Sequence, residues 1–208
     1  MRAGIISDLH VDLNEATPGD DRVLVGLLRV MEPLGLELLL VAGDVANDYR
    51  RTLRCLEAIE AGAGVRCLFV PGNHDLWNPN GAAVRDPGAS PPADPPLPVE
   101  WGAWDSYEAL KAFPGNLARG PVDLPGGWIV VGDTGWYDYR FGSPDFSMEE
   151  FDRMRFEERL WWDKVNARWG APTLEVHERF LARLARQLEA AAGRKIPLVT
   201  HVVPLVEL

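Results

Sequence analysis

The feature that most constrains this chain is a repeated local pattern, in which a short run of Val, Ile and Leu closes on an acidic, amide or imidazole side chain. Ile5-Ile6 leads into Asp8-Leu9-His10, Leu38 to Ala42 into Gly43-Asp44, Cys67 to Val70 into Gly72-Asn73-His74-Asp75, and Ile196 to Val199 into Thr200-His201. Trp128 to Val131 is a fifth run of the same kind, followed by Asp133. Runs this short and this uniformly apolar predict strands buried on both faces. Between them, Arg22 to Met31 places Val23, Leu24, Leu27, Leu28 and Met31 at helical spacing before Pro33, and Arg50 to Ala61 repeats the pattern before Gly62-Ala63-Gly64. Strand alternating with helix predicts parallel crossovers and an α/β fold. In such sheets the carboxyl ends of the strands are where ligands bind, so the polar residues fall on one functional edge.

The remainder of the chain supports one domain over 1–208. A length of 208 residues with 47% apolar and 25% charged side chains is ordinary for a globular domain. Six prolines at 87, 91, 92, 95, 96 and 98 leave little room for regular structure, and predict an insertion over about 78–121, a candidate lid. Ser147 with Glu150 forms a capping box, from which a helix is expected to run towards Trp169. A second amphipathic helix is expected from Pro172 to Ala192.

Charge and cysteine content exclude several functions. With 21 basic and 31 acidic residues the net charge is −10, which disfavours capture of duplex nucleic acid or an anionic membrane surface. Only Cys55 and Cys67 are present, so a disulfide framework is excluded and reduced thiols are expected. The first apolar run begins almost at Met1, and no run approaches the roughly 20 residues that span a bilayer, so a cytoplasmic protein is expected. The chain carries neither a GxxxxGK phosphate loop nor a GxSxG elbow.

The strand-end residues make chemical sense as a set. Carboxylate and amide oxygens together with imidazole nitrogens suit a borderline divalent ion such as Mn, Fe, Zn or Co better than calcium. Asp44, centrally placed in the series, is the candidate to bridge two ions. For any one of these residues alone, a capping role in a tight turn is the plainer reading. Asp48 is expected to cap the second helix, and His177 to be a surface or half-buried residue. For Asp133, Thr134, Trp136, Tyr137 and Asp138, substrate contact and loop packing are weighed equally. Arg140 is the nearest candidate to clamp a phosphate, against a solvated charge.

Taken in order, Asp8-Leu9-His10, Gly43-Asp44, Gly72-Asn73-His74-Asp75 and His201 resemble the motifs of the calcineurin-like metallophosphoesterases, over nearly the whole chain. The resemblance implies a layered α/β/α sandwich with mixed central sheets. It further implies two divalent metal ions, manganese favoured, with Asp8 and His10 on the first, Asp44 bridging, and Asn73 with His201 on the second. His74 is then the uncoordinated acid that protonates the leaving oxygen, with Asp75 orienting it. The implied activity is hydrolysis of phosphomonoesters or phosphodiesters by metal-bound hydroxide, on a small phosphorylated substrate such as a nucleotide. The family's final Gly-His-x-His does not occur, because His201 is the last histidine before Leu208. The expectation is therefore a chain cut short at its C-terminus. The alternative is a non-catalytic binding or scaffold member with an incomplete metal site, and a nuclease acting on duplex DNA is disfavoured by charge.

Overall fold

The computed structural model describes residues 1–17, 20–78, 98 and 100–203. Strands β1 (Ala3–Ile6), β2 (Leu38–Val41) and β3 (Arg66–Phe69) form a parallel sheet in the order β1-β2-β3. Helix α1 (Arg22–Met31) makes the first crossover and α2 (Tyr49–Ala63) the second. Glycine ends α2, with Gly64 left-handed at φ +64° and its N–H returned to the Glu60 carbonyl. Asp48 caps the start, accepting from the Arg50 N–H at 2.8 Å, as expected.

Side chains alternate across this sheet, and each face has its own partner. Leu39, Val41, Cys67 and Phe69 pack in one cluster with Leu24 and Met31 of α1 and Cys55, Leu56 and Ile59 of α2. Leu38, Leu40, Leu68 and Val70 pack instead with Leu117, Val130 and Val199. The latter two belong to a second, mixed sheet. There β4 (Val122–Leu124) runs antiparallel to β5 (Trp128–Asp133), and β8 (Leu198–Thr200) runs parallel to it. Helix α6 (Thr173–Ala190) lies against β5. The layers are thus helices, sheet, sheet and helix, a mixed α/β sandwich. Full burial of one Leu or Phe is worth about 1.5–3 kcal/mol, so these interleaved faces carry most of the fold's driving force.

Three expectations are corrected. β1 is an edge strand, not one buried on both faces, and Ile5 is 78% exposed on it. The later part of 78–121 is core: α3 (Ala103–Leu110) buries Ala103, Tyr107 and Leu110, and Phe69 of β3 bridges to Asn116. The prolines at 87, 91, 92, 95 and 96 lie outside the described residues. The long helix expected from Ser147 is four short pieces. Its capping box forms, yet α4 (Met148–Asp152) stops after five residues. Left-handed backbone at Met154 (φ +47°) and Glu157 (φ +53°) then turns the chain into a hairpin of β6 (Arg155–Phe156) and β7 (Arg159–Leu160), followed by α5 (Asp163–Asn166). Left-handed φ on residues with a Cβ cannot continue an α-helix.

Candidate metal centre

The carboxyl ends of β1, β2, β3 and β8 converge, and they bring the expected residues together. The ligand atoms of His10, Asp44 and His74 lie within 4.8 Å of one another, as do those of Asp8, Asp44 and His201. Asp44 is common to both groups. His10 Nε2 is 3.6 Å from Asp44 Oδ2 and 3.7 Å from Asp8 Oδ1, while His201 Nε2 is 3.4 Å from Asp44 Oδ2 and 2.9 Å from Asn73 Oδ1.

Backbone geometry makes this convergence possible. Asp8, His10 and Asp44 all have positive φ, at 55°, 40° and 56°, a region that side chains with a Cβ enter at a cost. The loops after β2 and β3 touch through two glycines. A Cβ on Gly72 would lie 2.1 Å from Asp44 Oδ1, and one on Gly43 (φ +84°) would lie 2.4 Å from the Gly72 nitrogen.

Asp75 secures that contact. Its carboxylate, fully buried, accepts from the backbone N–H groups of Gly72 (2.8 Å), Asp44 (2.8 Å), Val45 (3.0 Å) and Ala46 (3.2 Å), and from the Thr52 hydroxyl (2.6 Å). Burial, and next the charge of Asp44, push its pKa up to about 6 against the pull of those hydrogen bonds. Asp75 was expected to orient His74. Instead its oxygens fasten the two loops, and the His74 ring is held by others: Nδ1 pairs with Asn47 Oδ1 at 2.6 Å, and the ring stacks on Trp77 at 3.9 Å between centroids. The Asn47 N–H in turn donates to Asp12 Oδ2 at 2.8 Å.

The charges respond to this crowding. Burial lowers the His74 pKa, outweighing the opposing charges of Asp44 and Asp163. For His201, burial is overcome by the hydrogen bond and charge of Asp44 and by the Ala42 carbonyl, and its pKa rises to about 9. Asp44 is buried, yet its pKa falls, because the hydrogen bond and charge of His201 and the charge of His74 prevail over desolvation. The His201 and His10 ring nitrogens, 3.4 and 3.6 Å from one carboxylate oxygen, are placed to share a cation with it. With Asp8 and Asn73 Oδ1, this mixed oxygen and nitrogen set fits a borderline divalent metal.

A family model for calcineurin-like phosphoesterase matches residues 1–191. The chain belongs to that family. It is a metal-dependent hydrolase of phosphoester bonds. Among solved structures, the phosphoesterase is similar to a phosphopantetheinyl hydrolase from Mycobacterium tuberculosis, with a TM-score of 0.69 and 21% identity over 99% of this chain and 70% of the other. No curated protein matches it significantly. That structural likeness concerns the fold. Among the described residues, no helix of this phosphoesterase is long and apolar enough to cross a membrane.

Asp133, Trp136, Tyr137 and Asp138 line a cavity that also takes in Asn73 and His201. Asp133 is buried and internally paired, accepting from Tyr107 Oη (2.7 Å), the Thr134 N–H (2.9 Å) and Arg183 Nε (3.1 Å). Arg140 pairs with Asp138 at 3.2 Å on the surface. His177 is half-buried, its Nδ1 3.0 Å from the Trp136 carbonyl oxygen. Sequence reasoning missed Asp12, Asn47 and Asp163. Asp12 and Asn47 lie two and three residues after motif members, a proximity that could have drawn notice. For Asp163, 90 residues from the Asn73 it binds, no local signal exists.

Proposed function

We propose that this phosphoesterase uses two divalent ions, manganese favoured, to hydrolyse small phosphorylated substrates. The observation that carries the reading is Asp44, common to both ligand groups. Asp8 and His10 would hold one ion and Asn73 with His201 the other, with Asp44 shared, although the tightest groupings around Asp44 set Asp8 with His201 and His10 with His74. Two such ions, when bound, activate a water for in-line attack and neutralise the phosphoryl oxygens. The protein's own contribution is placement. Asp75 locks the loops that carry Asp44 and Asn73, and Asn47 and Trp77 hold His74 beside them.

His74 is the residue assigned to the leaving oxygen. With Nδ1–H donated to Asn47 Oδ1, only Nε2 is left to pass a proton to the leaving oxygen, and the burial that lowers the His74 pKa makes the protonated ring a stronger acid. The phosphopantetheinyl substrate class named for the structural neighbour joins nucleotides among the small phosphoesters to assay.

Hydrolysis of aryl phosphates, aryl phosphodiesters and phosphopantetheine esters should depend on added Mn²⁺ and cease with chelator. Asp44→Ala should abolish turnover, and His74→Ala should lower kcat by about 10²–10⁴-fold. Turnover indifferent to both substitutions would refute the reading.

A further inference from the structure

The hairpin and α5 bring one carboxylate to the back of the metal centre. Asp163 is 2% exposed, and among the described residues the side chains hydrogen-bonded to its carboxylate are all donors. Asn73 Nδ2 lies 2.9 and 3.1 Å from its two oxygens, Trp77 Nε1 is 2.6 Å from Oδ1, and Tyr137 Oη and Trp161 Nε1 are 2.7 and 2.8 Å from Oδ2. A carboxylate accepts and does not donate, so it selects one orientation of the Asn73 amide, with NH₂ towards Asp163 and Oδ1 towards His201 Nε2 at 2.9 Å. The flipped amide would set oxygen against oxygen at Asp163 and turn a donor into the ligand set. Through Trp77, the ring on which His74 stacks, the same carboxylate also reaches His74, the third residue of the Gly-Asn-His-Asp motif.

We infer that Asp163 is the positioning residue of the metal centre, fixing Asn73 Oδ1 as a ligand and Trp77 as the plate beneath His74, and that the docked aromatic side chains Tyr137 and Trp161 complete its hold. The inference rests on the proposed role of Asn73. Tyr137 and Trp161 also wall a cavity of about 630 Å³ that includes Phe146, Phe151 and Phe156, so the arm carrying this cavity is tied by one carboxylate to a metal ligand. Outer partners that orient a ligand commonly tune metal affinity as strongly as some ligands do.

Asp163→Asn keeps the shape and offers an NH₂ to Asn73, which rewards the flipped amide. Mn²⁺ affinity, read by titration calorimetry and by Mn²⁺ EPR on the full chain, should fall by about 10- to 100-fold with an unchanged melting temperature. Excess Mn²⁺ should restore much of kcat, since the defect lies in holding the ion. Trp161→Phe, which deletes one donor and keeps the carboxylate, should weaken Mn²⁺ in the same direction by less, and it decides the matter if Asp163→Asn does not fold. Wild-type protein that binds Mn²⁺ beside variants that bind it equally well overturns the inference alone. Wild-type protein that binds no Mn²⁺ overturns the proposed metal centre and this inference with it.

Discussion

Truncating Asp75 to Ala tests whether its carboxylate is a structural fastener. The substitution strands the N–H groups of Gly72, Asp44, Val45 and Ala46 and the Thr52 hydroxyl inside the loops after β2 and β3. A hydrogen bond to a charged group is worth about 1.5–3 kcal/mol net, so simple addition would reach about 7–15 kcal/mol. The sum overshoots, because burying a carboxylate costs several kcal/mol, a cost visible in a pKa pushed up to about 6. Breaking a buried charged network by removing one partner costs about 3–5 kcal/mol, the figure expected here. With a urea m-value of about 2 kcal/mol/M, a loss of about 4 kcal/mol moves the unfolding midpoint down by about 2 M at constant m. Thr52→Val removes one of these donors and should cost about 1.5–3 kcal/mol, less than the whole network. Equilibrium urea unfolding followed by tryptophan fluorescence reads both. If Asp75→Ala shifts the midpoint by less than about 0.5 M, or if Thr52→Val costs as much as Asp75→Ala, the fastener argument is wrong.

Two other outcomes follow from the site and the core. Asn47→Ala leaves the proposed metal ligands in place and frees the His74 ring, so kcat should fall while Mn²⁺ affinity holds. An equal loss of affinity would place Asn47 among the ligands instead. Burial pushes the Cys55 and Cys67 thiols up to about 11 and about 12, so neither should react with a disulfide reagent at pH 8 in the folded protein, and both should react in urea. Rapid labelling of the native chain would contradict the buried packing of α2 and β3.

The parallel sheet was legible because each of its strands carries a complete local signal, an apolar run and a polar stop. Helix α1 matches its apolar spacing residue for residue over Arg22 to Met31. The hairpin was not legible, because the capping box at Ser147 is a true helix start and nothing nearby in sequence marks the stop. The turns at Met154 and Glu157 use left-handed backbone without glycine, which only the folded surroundings can impose. The candidate metal residues stood out because they share one motif order. Their supports did not: Asp163 reads as a surface acid beside Lys164 until Asn73, Trp77 and Tyr137 arrive from other elements. Asp75 was visible as a site residue with the wrong task, since its sequence neighbour is His74 whereas its hydrogen-bond partners begin some thirty residues earlier, at Asp44.

The left-handed backbone at Asp8, His10 and Asp44 sets folding and chemistry against each other at the same positions. Each such residue carries a conformational cost of about 1–3 kcal/mol that glycine would largely relieve. Selection for a sturdier fold alone would therefore erode these positions first. A glycine appearing at one of them in a laboratory screen for heat resistance would mark a protein that had gained robustness by surrendering a candidate metal ligand.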